Sequence, residues 1–387
     1  MNAYIGAGRA RGAPEAYRAG VDPFGPAALI LHRPGSPGFM IIDYVSLLGG
    51  LVVLIVAGDV LVRGAVGIAE KLGIPTLVIG LTIVAFGTSA PELVISLNAA
   101  LDGLPGIAVG NVVGSNIANV LAVLGLPALF AATNCREDGA TRNALIMVGI
   151  SIVFVAMCFM SPISRLDGVL LLVLLALFLY ESVRATRKHR AANGAAAFAD
   201  AGVSTGSGSP ENATDDDDAC CGGETPFEEV EGVPESPMLA ILFVVLGLIG
   251  LPLGAHFTIE GASALARSWG VSDAVIGLTV VALGTSLPEL MTSLMAAVRG
   301  HAAVALGNVI GSNIFNLVAI MGITAVVVPI DIPQEVLALD VWVMLAAGVL
   351  VLAFAWFRTT IRWPLGLVLC ALYASYILAV FQLGKSI

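Results

Sequence analysis

The sequence is poor in charge: Asp, Glu, Lys and Arg make up only 12% of its 387 residues, where a soluble protein has about a quarter. With 58% hydrophobic residues and a mean hydropathy of +0.95, this scarcity excludes an ordinary soluble domain. The short alternating segments of a transmembrane barrel are also missing. Apolar stretches of about 20 residues recur instead, each long enough to cross a bilayer core about 30 Å thick. The composition therefore predicts an all-α polytopic membrane protein.

Cysteine and histidine are scarce as well, with five Cys and four His in the chain. Cys220 and Cys221 are adjacent, whereas Cys158 and Cys370 fall in apolar segments, so no disulfide framework is predicted. No neighbouring Cys or His completes a metal site at the adjacent pair. The hydrophilic parts contain neither a nucleophile–base pair nor a phosphate-binding loop. We therefore expect no enzyme activity and no cofactor.

The net charge of −10 belongs to one segment, because residues 200–235 contain eleven acids and no base. Residues 184–237 begin with basic residues and continue as a Gly/Ser/Ala/Asp-rich stretch, which predicts a disordered acidic linker. Residues 1–39 are predicted to be a disordered tail without a signal peptide, and the hypothesis that Met40 is the true start follows from the first convincing span beginning there. A charge confined to one linker gives no reason to expect a nucleic-acid partner.

Ten membrane spans are predicted, with five on each side of the linker. Their approximate bounds are 40–58 (with an amphipathic extension towards 70), 75–101, 107–132, 143–160, 165–183, 238–267, 272–298, 303–329, 339–357 and 363–382. The first half is thus 40–183 and the second is 238–387. Because five is odd, the second half enters the membrane from the opposite side, which predicts two inverted five-helix repeats.

The basic residues predict the orientation of these spans. With the linker inside, the inner loops hold eleven of them: Arg63, Lys71, Arg136, Arg142, Arg184, Arg187, Lys188, Arg190, Arg299, Arg358 and Arg362. The outer loops hold four, namely Arg33, Arg165, Arg267 and Lys385, with three more far out on the N-terminal tail. The excess inside favours a multi-pass protein of the cell membrane with a cytoplasmic linker and both termini outside.

The two halves share a pair of sequence blocks, offset by 197 residues. Gly87-Thr88-Ser89-Ala90-Pro91-Glu92 matches Gly284-Thr285-Ser286-Leu287-Pro288-Glu289. The second block reads Gly110-Asn111 and Gly114-Ser115-Asn116-Ile117-Ala118-Asn119 in the first half. It matches Gly307-Asn308 and Gly311-Ser312-Asn313-Ile314-Phe315-Asn316 in the second half. An internal repeat of this kind indicates that both halves build one site.

Glu92 and Glu289 each fall near the middle of a predicted span, where an ionisable side chain indicates function by default. Each follows a proline, which cannot donate a backbone hydrogen bond and clashes with the carbonyl four residues back. We therefore expect broken helices 2, 3, 7 and 8 around a midplane site. The freed carbonyls around 85–88 and 282–285 would need a new partner there.

Hydroxyl and amide side chains share helix faces with these glutamates or with each other. Thr88 and Ser89 precede Glu92 by four and three residues, and the pairs Ser115–Asn119 and Ser312–Asn316 are spaced by four. This oxygen-rich set suits Ca²⁺ or, with less charge, Na⁺, and the absence of His and Cys argues against zinc or copper. Small-residue helix packing is the alternative for the glycines of the second block, and interhelical hydrogen bonding is the alternative for its asparagines.

Four further polar positions pair through the repeat: Asp59 with His256, and Arg63 with Glu260. We expect them near helix ends at a membrane interface, and the alternative is a role in gating.

The paired blocks resemble those of the calcium/cation antiporter superfamily, specifically its prokaryotic sodium/calcium exchangers, over about residues 40–383. The resemblance implies four central sites, one for Ca²⁺ and up to three for Na⁺, and gating helices at 40–70 and 238–267 that slide across a rigid core. The implied Ca²⁺ ligands are Glu92, Glu289 and the carbonyls of Thr88 and Thr285. Ser89, Ser115, Ser286, Ser312 and the carbonyls of Ala85 and Ala282 would line the Na⁺ sites, with Asn119 and Asn316 completing the centre.

The sequence thus predicts a secondary antiporter that exchanges Na⁺ for Ca²⁺, with the bilayer and the transported ions as partners. A monomer is expected, and the sequence leaves the oligomeric state open. Some relatives have an aspartate where this chain has Asn316, which leaves the stoichiometry open. A proton-coupled exchanger is the first alternative, although no titratable partner is visible near the glutamates. A passive cation channel is the second, and a non-transporting receptor would leave the paired glutamates unexplained.

Overall fold

The computed structural model describes residues 37–203, 233–234, 236–271 and 282–384. In the first half, the helices are α1 (Pro37–Leu72), α2 (Thr76–Thr88), α3 (Ala90–Leu101), α4 (Pro105–Leu129), α5 (Ala140–Phe159) and α6 (Arg165–Val203). In the second, they are α7 (Pro237–Ser268), α8 (Ala282–Thr285), α9 (Leu287–Val298), α10 (Ala302–Val327), α11 (Val336–Trp356) and α12 (Trp363–Gly384). Two short strands, β1 (Thr133–Asn134) and β2 (Thr360–Ile361), pair antiparallel.

Eight helices in the described part are long and apolar enough to cross a membrane, and a ninth span results if α2 and α3 count together. The bend between α2 and α3 is 44°. The predicted span at 272–298 is described only from Ala282, because residues 272–281 lie outside the described ranges. The prediction of ten spans therefore stays a prediction.

The fifth span is longer than expected, because α6 continues to Val203 rather than ending at 183. The extension covers the first twenty residues of the predicted disordered linker. It is rich in alanine, the strongest helix former, which explains how it can continue the helix. The tail at 1–36 and the acidic stretch at 204–232, with Cys220 and Cys221, lie outside the described residues.

Helices α1 and α7 pack against each other along a seam of small residues. A Cβ atom on Gly50 would lie 2.6 Å from the backbone nitrogen of Thr258, and one on Gly247 would lie 2.8 Å from the Cα of Leu61. Gly50 near the start of α1 meets Thr258 late in α7, whereas Leu61 further along α1 meets Gly247 earlier in α7, so the two helices are antiparallel. Backbone contact of this closeness holds the pair together as one unit.

Helix α10 lies in the centre of the protein, and its residues Ala303–Phe315 are all buried. Helix α2 packs directly on it: a Cβ atom on Gly80 would lie 2.7 Å from the carbonyl oxygen of Val304, and one on Gly307 would lie 2.5 Å from that of Leu77. The periphery differs, because α1, α6 and α12 expose many large apolar side chains, such as Ile41, Leu166 and Leu378. A polar centre inside an apolar shell is the arrangement expected in lipid.

Candidate cation site

The two motif glutamates occupy the first turn of α3 and of α9, each shortly after a serine at which the preceding helix is interrupted. Ser89 and Ser286 precede these helices with nearly identical backbone angles, φ −85° and ψ 5° against φ −88° and ψ 7°. Proline fits in a first turn because its missing N–H has no helical partner there. Pro91 and Pro288 thus start new helices, and the glutamate that follows each is only 1% exposed.

The expected freeing of backbone carbonyls is not met at Ala85. Its oxygen accepts hydrogen bonds from the Ser89 N–H at 3.1 Å and from the Thr88 hydroxyl at 3.3 Å. The chain therefore satisfies this carbonyl internally, because the serine amide remains available before the proline. Ala282 and Thr285, the counterparts of Ala85 and Thr88, are the first and last residues of the described part of α8, and Thr285 is half-buried.

Side chains of the first half reach those of the second at this point. The Ser89 hydroxyl donates to Oε1 of Glu289 at 2.9 Å, and the Thr88 hydroxyl lies 3.3 Å from Oδ1 of Asn308. These residues are about two hundred positions apart in sequence. The structure thus brings the first block of one half together with both blocks of the other.

An asparagine braces each glutamate-bearing helix in the same way. Asn111 donates to the Glu92 carbonyl at 3.2 Å and to the Ser96 hydroxyl at 2.8 Å. Asn308 donates to the Glu289 carbonyl at 3.2 Å and to the hydroxyl of Ser293 at 3.0 Å. Ser96 and Ser293 were missed by sequence reasoning. They follow the glutamates by four residues at repeat-related positions, so the same comparison of halves could have found them.

The second block lies on α4 and α10, next to the glutamates. Asn119 and Asn316 each begin a π-helical turn, and both are 1% exposed. Asn316 donates to Oδ1 of Asn116 at 3.1 Å, which joins the two halves again. Ser115 and Ser312 are also buried, one turn before these asparagines.

Most buried side-chain polar atoms without a hydrogen-bond partner lie in these blocks. In the described residues there are twelve such atoms, and ten belong to the repeated motifs. They are both carboxylate oxygens of Glu92, Oε2 of Glu289, the hydroxyls of Ser286 and Ser312, both amide atoms of Asn119 and of Asn313, and Oδ1 of Asn316. A buried polar atom without a partner is costly. Eight of the ten are oxygens, and this excess of acceptors is what a bound cation would satisfy.

Comparison with known proteins agrees with this chemistry. The family model described as "Sodium/calcium exchanger protein" matches residues 42–183 and 239–382, which is most of the chain. The chain belongs to the sodium/calcium exchanger family. It is 34% identical to the sodium/calcium exchanger MaX1 of Methanosarcina acetivorans, over 88% of this chain and 99% of that protein. It is 32% identical to the inner membrane protein YrbG of Escherichia coli, over 83% and 90% respectively.

Solved structures of the sodium-calcium exchanger NCX_Mj share the fold. One of them superposes on this exchanger with a TM-score of 0.70 and 30% identity, and the match covers 88% of this chain and 99% of the other. Family, relatives and apolar helices together identify a multi-pass membrane transporter, a cation/calcium exchanger rather than an enzyme. The family predicted from the paired blocks is thereby confirmed.

Proposed function

We propose that this exchanger moves Na⁺ and Ca²⁺ in opposite directions across the cell membrane, and that the two ions compete for Glu92 and Glu289. The observation that carries the proposal is the set of buried, unpartnered oxygens on the repeated motifs. A carboxylate away from water is stable only when a counter-charge or hydrogen bonds compensate it. A transported cation supplies that compensation at the centre of the protein.

The proposed Ca²⁺ ligands are the carboxylates of Glu92 and Glu289 and the carbonyls of Thr88 and Thr285. Ser89, Ser115, Ser286 and Ser312 and the carbonyls of Ala85 and Ala282 are proposed for Na⁺, with Asn119 and Asn316 in the centre. Two carboxylates favour the divalent ion, whereas hydroxyls and carbonyls suffice for the monovalent one. At Ala85 an ion would take the lone pair that the Thr88 hydroxyl uses here.

The Na⁺ and Ca²⁺ fluxes are coupled because both ions bind to the same two glutamates. Since both ions need the same two carboxylates, they cannot occupy the centre together. An empty site would leave two carboxylates in apolar surroundings, so the ion-free protein resists the conformational change. Exchange is then driven by the Na⁺ gradient without ATP.

The proposed architecture is ten spans in two inverted repeats, with the linker in the cytoplasm and both termini outside. Matching hydrogen bonds of Asn111 and Asn308 support the repeat. In an inverted repeat, a site at the interface of the halves can be exposed to either side by a symmetric motion.

The test uses purified protein in liposomes loaded with Na⁺ and diluted into Na⁺-free medium that contains labelled Ca²⁺. We expect wild-type uptake that requires internal Na⁺, and none above background in Glu92→Gln or Glu289→Gln. Glu335→Gln is the matched control, because this exposed glutamate lies outside both blocks. Full activity in the two motif variants would contradict the assignment of the site.

The same assay separates the alternatives. Uptake driven equally well by an imposed pH gradient would identify a proton-coupled exchanger. Uptake without any counter-ion would identify a channel.

A further inference from the structure

Asp59 lies inside α1, away from the helix end where we expected it, and contacts two arginines, one on α1 and one at the end of α9. Its Oδ2 lies 2.8 Å from Nη2 of Arg63 on the same helix, and its Oδ1 accepts a hydrogen bond from Nε of Arg299 at 2.6 Å. All three side chains are largely shielded, with 16–28% of their surface exposed. A charge-assisted bond of this length is strong.

The Asp59–Arg299 pair ties the α1–α7 unit to the end of α9. Arg299 directly follows α9, and the Asp59 neighbour Gly58 packs on the same helix, where a Cβ atom would lie 3.2 Å from the Met291 carbonyl oxygen. Met291 and Met295 are partly buried against the core. Glu289 lies ten residues before Arg299 on this helix, about 15 Å away at 1.5 Å per residue.

At the repeat-related positions the two arginines are replaced by acidic residues, and the aspartate is replaced by a histidine. His256, Glu260 and Asp102 take the places of Asp59, Arg63 and Arg299. In this structure Glu260 lies 3.8 Å from His256 on its own helix. The repeat counterparts of Met291 and Met295 are Val94, which is 53% exposed, and Asn98, which is also exposed. The interface of the unit with α9 is therefore packed and latched, whereas the related surface on α3 is uncovered.

We propose that the Asp59–Arg299 pair is a latch that closes the passage between α1 and α9, and that the pair must break each time the exchanger turns over. The inference rests on the proposed function, because a latch of this kind acts only in a protein that alternates between two open states; it takes α1 and α7, the gating helices implied by the family resemblance, as the moving part. Arg63 and Arg299 both belong to the side that the charge distribution assigns to the cytoplasm. The latched state is thus closed to the cytoplasm, with the α3 surface open on the opposite side.

Cysteine labelling in detergent tests the latch without requiring transport. In full-length protein with its five native cysteines replaced by alanine, Met295→Cys reports the α9 interface and Asn98→Cys reports the related surface of α3. With a water-soluble maleimide, we expect slow modification at 295 and fast modification at 98. Asp59→Asn should speed the first about fivefold or more, the population shift expected from losing about 1 kcal/mol, and slow the second. Arg299→Gln, which removes the same contact from the other helix, should do likewise.

Opposite changes at the two reporters distinguish release of a latch from general loosening, which would expose both. Asp102→Asn is the matched control, since it removes a carboxylate at the repeat-related end and should leave the Met295→Cys rate low. Equal modification of Met295→Cys with and without the ion pair would overturn the proposal. Failure of the proposed function has a different signature: wild-type liposomes would show no Na⁺-driven Ca²⁺ uptake, whatever the labelling pattern.

Discussion

The substitution Glu92→Gln should make the ion-free protein more stable while removing its stabilisation by Ca²⁺. Within the described part of the chain, neither carboxylate oxygen of Glu92 has a hydrogen-bond partner, and the side chain is 1% exposed. A buried polar group without a partner costs about 1–3 kcal/mol, and more when it is charged. Glutamine has nearly the same size and is still polar, but it removes the additional cost of the charge, so we expect a gain of about 1 kcal/mol in ion-free buffer.

Calcium should reverse the order of stability. Ca²⁺ at a thousand times its dissociation constant would add about 4.1 kcal/mol to the wild type, an increment that the variant loses with its ligand and that exceeds the variant's gain. The measurement is the midpoint of thermal unfolding in detergent, with choline replacing Na⁺, at increasing Ca²⁺.

The effect of Glu289→Gln on stability provides a second test, because the two glutamates differ in their hydrogen bonds. Oε1 of Glu289 accepts a hydrogen bond from Ser89, and only Oε2 is without a partner. Its replacement should therefore stabilise the ion-free protein less than Glu92→Gln does. A Glu92→Gln protein that melts below the wild type without ions, and that still gains stability from Ca²⁺, would refute the reasoning.

Two further predictions follow from contacts between the halves. Asn316 donates a hydrogen bond to Oδ1 of Asn116, and a carboxylate in its place could donate only when protonated. In Asn316→Asp we therefore expect Na⁺-dependent Ca²⁺ uptake to fall with rising pH more steeply than in the wild type. Parallel pH profiles of initial rates would contradict this. Gly247→Ala places a methyl group 2.5 Å from Cβ of Leu61 and should lower stability by about 1–3 kcal/mol or more, measured by thermal unfolding. Gly110→Ala, with no atom within 4 Å in the described structure, is its control and should be nearly neutral.

The polar centre could be predicted from the sequence, because the motif residues are among the few polar residues inside long apolar segments. Pro91 and Pro288 indicate where helices must restart, and the repeat doubles the evidence for the glutamates that follow them. The family could be named from the same residues. The hydrogen bonds to the Ala85 carbonyl were not foreseen. Pro91 removes only its own N–H as a donor, and the N–H of Ser89, two residues earlier, still donates to the carbonyl of Ala85.

Contacts between distant parts of the chain were beyond the sequence. Asp59 and Arg299 are 240 residues apart, and nothing local indicates that they meet. The amphipathic extension of the first span towards 70 was expected, and α1 does continue to Leu72. The expectation that Asp59 lies near a helix end was wrong, because the helix continues through this position where it packs on α7 and α9. The length of α6 could have been suspected from its alanines, but a composition rich in small and charged residues is also typical of linkers.

The glycine seam between α1 and α7 has a mechanical consequence. Two helices in backbone contact over several turns behave as a single stiff rod, so displacement at one end appears at the other at once. In the proposed cycle, opening one passage and closing its counterpart then become the same movement. A rigid pair of helices therefore disfavours a conformation in which both passages are open. In such a conformation Na⁺ would flow through the protein without exporting Ca²⁺. The glycines would in this way protect the tightness of the membrane as well as the fold.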